Sequence, residues 1–126
     1  MGQTKVLSKG ILTRLAGVSG KQNITVSWHT ASFIMKTFLT ANEYMDTVFS
    51  ILDDCKAPDG SIAQELLDFS TRLHIITAYA FVEFPEDMEQ IYYIVYNSDL
   101  YDTVLKHANS AQVESIITTV QRYASR

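Results

Sequence analysis

The stretch NITVSWHTASFIMKTFLT (Asn23–Thr40), followed directly by ANEYMDTVFSILDD (Ala41–Asp54), holds the decision about the fold. Its first part alternates. Ile24, Val26 and Trp28 fall on one side and Thr25 and Ser27 on the other, which is the period of two of a half-buried strand. Phe33 to Leu39 is rich in β-forming residues and makes a second strand, joined to the first by a short loop near His29 to Ser32. At Thr40 the period changes. Thr40-Ala-Asn-Glu43 is a capping box: the Thr40 hydroxyl can accept from the Glu43 backbone N–H, and the Glu43 carboxylate can reach back. Met45, Val48, Phe49 and Leu52 then recur at helical spacing on one face. An isolated hairpin is marginal in water, so this one must pack on helices or on another chain.

Downstream the pattern stays helical. Ala57-Pro-Asp-Gly60 ends the first helix as a turn of that composition should. A long helix is expected from about Ser61 to Phe84, with the stripe Ile62, Leu66, Phe69, Leu73, Ile76 and Ala80. It is the longest and most hydrophobic element and is expected at the centre. Pro85 stops it and opens the next, since proline fits a first helical turn. Glu86, Asp87 and Glu89 then meet the positive end of a helix dipole. That helix carries Met88, Ile91, Tyr92 and Val95 and ends near Asn97. Ser98 or Asp99 caps a short helix through Leu100, Val104 and Leu105. Asn109 with Gln112 makes a capping pair for the last helix, which holds Val113, Ile116, Ile117 and Val120 and finishes in Arg122 and Arg126. The expected architecture is mostly α (α+β by strict label). It is a bundle of about five helices with a small N-terminal β-hairpin and an extended N-terminal arm. The expected boundaries are a basic arm at 1–20 and one globular domain at 21–126, with the hairpin at about 23–39 and the helical body at about 40–125.

Upstream of the hairpin the composition differs. Gly2, Gly10, Gly17 and Gly20, four of the five glycines, lie in the arm and weaken any helix there. Ile11, Leu12, Leu15 and Val18 still recur at helical spacing, so one short helix can form against a partner. Residues 1–42 contain Lys5, Lys9, Arg14, Lys21 and Lys36 and no acid, whereas residues 43–126 contain all 14 acids and the other five bases. Such asymmetry points to an interaction arm. A basic arm can seek phosphate, or it can lie on the acidic surface of a neighbouring copy. Five charges over 42 residues are also compatible with a purely solubilising role.

At 126 residues and 14.2 kDa the chain is sized for one domain. Hydrophobic residues are 47% and charged residues 19%, a globular rather than a disordered composition. A net charge of −4 and a pI near 5.2 argue against a generic nucleic-acid binder. Cys55 is the one cysteine, so neither an intrachain disulfide nor a CxxC zinc site can form, and a reducing compartment is expected. No apolar run of signal length follows Lys5 and Lys9. The longest apolar-rich stretch, Leu73 to Phe84, is broken by His74, Thr77 and Glu83 and falls short of the roughly 20 residues of a membrane span. A soluble chain with no membrane partner is expected.

Catalytic chemistry finds little purchase. His29, His74 and His107 include no pair at helical zinc spacing, and there is no HExxH. His74 beside the central stripe reads as a structural histidine, and His107 as a cation near a helix end. Cys55 sits in a last helical turn beside Asp53 and Asp54, which would raise its pKa rather than activate it. Asp53, Asp54 and Asp59 lack the order and the terminal glutamate of a calcium loop. No G-x-S-x-G, P-loop or G-x-G-x-x-G is present. No catalytic residue, cofactor or metal is expected. Tyrosine is the one enriched feature: Tyr92, Tyr93, Tyr96 and Tyr101 fall within ten residues. Tyrosine gives large contact area at low entropic cost, so this group suits either an interface or an amphipathic core edge. The candidate interface residues are therefore Ile11, Leu12, Arg14 and Leu15 in the arm and Trp28, Tyr92, Tyr93, Tyr96 and Tyr101 on the body.

Leu39 to Leu105, with Phe84-Pro85-Glu86-Asp87 and Val95-Tyr96-Asn97-Ser98-Asp99-Leu100-Tyr101 at its end, resembles small proteins of the structural gene modules of tailed bacteriophages. The resemblance covers about half the chain and contains no catalytic motif. It implies a non-enzymatic tail-assembly or virion-associated role, in the virion or the host cytoplasm, with homo-oligomers and other phage structural proteins as partners. Two other roles fit a small acidic chain with a basic arm. One is a phage-encoded inhibitor of a host defence system. The other is a DNA-binding regulator using the arm, although nucleic acid is the less favoured partner.

Overall fold

A computed structural model describes residues 8–19 and 23–125, with side chains over 8–15 and 23–125. Residues 1–7 and 20–22, the side chain of Val18 and Arg126 therefore lie outside the described residues, including the expected charges of Lys5 and Lys21. The elements run α1 (Lys9–Ser19), β1 (Asn23–Trp28), β2 (Ala31–Lys36), α2 (Ala41–Asp54), α3 (Gln64–Tyr79), α4 (Met88–Asn97), α5 (Leu100–His107) and α6 (Ser110–Ala124). The protein is mostly α with one antiparallel hairpin, as the change of period at Thr40 predicts.

The hairpin pairs Ile24 with Met35 and Val26 with Phe33, closing through His29 and Thr30. His29 adopts φ 55°, a left-handed position that histidine tolerates better than most residues. Val26 and Met35 face inward and join a core built on Ile51, Ile75, Ile76, Tyr79, Val104 and Ile116. The capping box forms in full. Glu43 N donates to Thr40 Oγ1 at 3.2 Å, and Thr40 N donates to Glu43 Oε1 at 2.9 Å. The Pro-Asp-Gly turn also forms. Gly60 takes φ 88°, and Asp59 Oδ1 accepts from Ser61 N and Ser61 Oγ at 3.0 and 2.6 Å.

Three expectations change. First, α3 ends at Tyr79 rather than Phe84. Ala80 is extended and bridges Met35, and Phe81 N donates to Ile34 O at 2.9 Å. The open edge of β2 offers backbone acceptors, and meeting them is worth more here than another helical turn. Second, Pro85 does not open a helix: α4 begins three residues later, at Met88, behind an Asp87 N-cap that makes no side-chain cap bond. Third, the buried face of α2 is Thr47, Val48, Ile51 and Leu52, while Met45 and Phe49 are exposed. Tyr44 turns the helix that way, because its hydroxyl meets Ser115 Oγ at 2.6 Å and Thr119 Oγ1 at 3.1 Å on α6. Of the two residues expected to cap α5, Asp99 holds the N-cap position without a side-chain cap bond, and Ser98 Oγ accepts from Leu100 N at 3.2 Å.

Candidate functional site

The central helix carries more apolar surface than one core can take. Its buried residues are Ser70, Thr71, Ile75, Ile76 and Tyr79. Of the expected stripe, Ile76 and Ala80 enter the core, but Leu66 is exposed and Phe69 and Leu73 are half-buried. These three residues face a second direction, toward α4. Leu66, Phe69 and Leu73 on α3, with Met88, Tyr92 and Tyr96 on α4, line an open groove of about 700 Å³. Asp54 and Glu65 lie at its rim. Only Val95 of α4 is fully buried, so this helix lies on the body without being enclosed by it.

The groove has an ordered aromatic floor. Phe69 stacks on Tyr92 with centroids 5.8 Å apart and on Tyr96 at 6.1 Å, and Tyr92 and Tyr96 are 4.9 Å apart. Tyr96 OH donates to Asp68 Oδ2 at 2.6 Å. Burial, and this donation to a carboxylate, push the Tyr96 phenol up to about 12, so it stays a neutral donor. Arg72 also reaches Asp68 at 3.0 Å and sits over both the Tyr96 and Tyr101 rings, 5.0 and 4.9 Å from their centroids. These contacts fix the inner wall by cation–π and hydrogen-bond geometry. Met88 and Tyr92 remain exposed, at 62% and 56%.

The tyrosines expected to act as one group therefore divide. Tyr92 and Tyr96 share the groove. Tyr93 is exposed but belongs to another face of α4, near Pro85, Glu89 and Gln90. Tyr101, expected among the interface residues, is instead buried, with its ring beneath Arg72, and offers almost no contact area. Trp28 is half-buried at the far end of the hairpin, where its Nε1 donates to Asp99 Oδ1 at 2.6 Å. His29 Nε2 lies 3.0 Å from the same oxygen. The Trp28 bond, helped by His29, holds the Asp99 carboxyl below the usual range. This pairing ties the hairpin tip to the start of α5, so it is a brace. In the arm, Ile11, Leu12, Arg14 and Leu15 are all exposed along α1.

The remaining reactive groups have structural partners. His74 Nε2 meets Asp54 Oδ2 at 2.5 Å, the half-buried structural role expected of it. Cys55 is buried, and desolvation pushes its thiol above the ordinary value, against a Ser70 hydroxyl that opposes the shift. Among the described residues no group of three or more His, Cys, Asp or Glu is placed to hold a metal ion. Among them, too, no helix is long and apolar enough to cross a membrane. Sequence reasoning passed over Leu66, Phe69, Leu73 and Met88 as core. The available signal was that α3 shows two apolar stripes, one through Thr71, Ile75 and Tyr79 and one through Leu66, Phe69 and Leu73. No family model, curated protein or solved structure matches this chain.

Proposed function

We propose that this chain is a non-enzymatic assembly protein of a tailed bacteriophage that works by self-association. One observation carries the reading: the same chain presents two apolar surfaces that its own fold leaves open, the α1 face and the α3–α4 groove. Contiguous exposed apolar surface marks contact sites. Ile11, Leu12, Tyr92 and Met88 are each about half exposed or more, and fully burying one such side chain stabilises an interface by about 1.5–3 kcal/mol. The phage setting is supported by the resemblance of Phe84–Asp87 and Val95–Tyr101 to virion-module proteins.

Sedimentation of the full-length chain over a concentration series tests the reading. Oligomers that grow with concentration are expected. A single-chain species at every concentration overturns it.

A further inference from the structure

We infer that the α3–α4 groove is the receptor for helix α1 of a second copy of this chain. The inference rests on the self-association reading above and names its two surfaces.

The first observation concerns α1 itself. It has 11 residues and includes Gly10 and Gly17, and isolated helices of that length are marginal in water. Ser8 organises its start, accepting at Oγ from Ile11 N at 3.2 Å and at O from Leu12 N at 3.1 Å. Yet residues 8–15 are exposed throughout, so over that stretch the helix keeps its side chains in solvent. Ile11, Leu12 and Leu15 share one face, with Lys9 and Arg14 on its two flanks. A short helix with an apolar stripe and basic borders calls for an apolar trough with acidic borders.

The second observation is that the groove has those properties. Its floor is Leu66, Phe69, Leu73 and Tyr92, and two carboxylates stand at the rim, Glu65 and Asp54, the latter with one oxygen already on His74. No acid occurs in residues 1–42, so α1 meets no acidic neighbour of its own segment. The groove belongs to the segment that holds all 14 acids. Opposite potentials of this kind select and orient a partner. The lengths also agree: α1 is about 16 Å long and α3 about 24 Å, so the donor helix fits along the receptor helix.

A donor surface and a different receptor surface on one chain let copies join helix to groove, as a reciprocal pair, a ring or a filament according to the rotation between them. That suits an assembly protein, and it makes the contact separable by mixing.

Two full-length double variants provide the test. The donor variant carries Ile11→Asp and Leu12→Asp. The receptor variant carries Leu66→Asp and Tyr92→Asp. All four side chains are about half exposed or more, so the fold should tolerate both variants, and circular dichroism melts check that it does. Each variant alone should self-associate more than about tenfold more weakly than the parent, because a buried unpaired carboxylate opposes docking. Mixing the two should restore a species of two chains and no larger, since only one intact helix meets one intact groove. If the parent assembles but either variant assembles as well as it does, α1 and the groove are not partners, while self-association itself stands. Failure of the mixture to pair overturns the inference in the same way. A parent that never assembles removes both readings. Should the receptor variant melt early, Leu66→Ala with Tyr92→Ala replaces it, with the same loss and the same rescue required.

Discussion

Two regions of the body use the same residue types to opposite ends. At the junction of β2 and α6, Gln112 gathers the Leu39 backbone groups and the Tyr79 hydroxyl. Its Oε1 accepts from Leu39 N at 2.8 Å and from Tyr79 OH at 2.7 Å, and its Nε2 donates to Leu39 O at 3.1 Å. Asn109 N donates to Thr37 O at 2.8 Å beside it. With those groups met, Leu39, Tyr79 and Ile116 close over the site and are almost wholly buried. On the other side of α3, Phe69, Tyr92 and Tyr96 stack on one another, yet Phe69 and Tyr96 are only half-buried and Tyr92 is exposed. Tyr79 and Tyr96 both have a partner for the hydroxyl, Gln112 and Asp68, so what separates them is enclosure of the ring: neighbours surround Tyr79 completely and leave Tyr92 and Tyr96 facing the groove. The difference separates the part of the molecule that holds the fold from the part offered to another chain.

The contrast can be broken at the closed end. Ile116→Ala, one helical turn from Gln112, should cost about 2–5 kcal/mol of unfolding free energy, read by urea denaturation, because a filled core leaves a cavity. Gln112→Ala should cost about 2–3 kcal/mol by the same measurement, since it strands the Leu39 backbone groups and the Tyr79 hydroxyl away from water. A Gln112→Ala protein as stable as the parent would show that water reaches this junction and that it is not closed.

A smaller effect sharpens the comparison at the edge of the closed region. Thr40→Ala should cost about 1 kcal/mol, the usual worth of an N-cap. The same box gives stability a pH dependence. A side-chain bond from Lys36, with the Thr40 backbone N–H, lowers the Glu43 pKa below its ordinary value. A depressed carboxylate contributes stability that is complete above its unfolded pKa and is lost as pH falls through the folded value. Glu43→Gln should therefore flatten the acid limb of stability against pH and leave the neutral region with a lower plateau. An unchanged acid limb would show that the Lys36 contact does not survive in solution.

The smallest effect belongs to the open groove. Leu66→Asp should shift stability by no more than about 0.5 kcal/mol, as a surface change away from the core does. A loss matching that of Ile116→Ala would mean that the groove is part of the core and the comparison fails.

The capping box, the strand alternation at Ile24, Val26 and Trp28, and the turn at Asp59–Gly60 were all legible in the residues alone. Each depends on atoms within about one turn of chain, where spacing sets geometry. The candidate site was only half legible. Tyr92 and Tyr96 stood out by composition, but Leu66, Phe69 and Leu73 were indistinguishable from core, because a helix with two apolar stripes does not say which one its neighbours will cover. Tyr101 misled for the converse reason, since its enclosure depends on Arg72, a residue 29 positions away.

By itself, then, the order of residues determined that a hairpin precedes a set of capped helices, and that a basic leader precedes an acidic body. Tertiary structure decided where α3 stops, which carboxylate braces Trp28, and which face of the central helix stays open. Those outcomes turn on unpaired backbone groups and apolar faces brought together from distant parts of the chain. Ala80 extends because β2 has an edge to fill, and the Asp99 side chain makes no cap bond to α5 because its carboxylate takes the indole N–H of Trp28 instead.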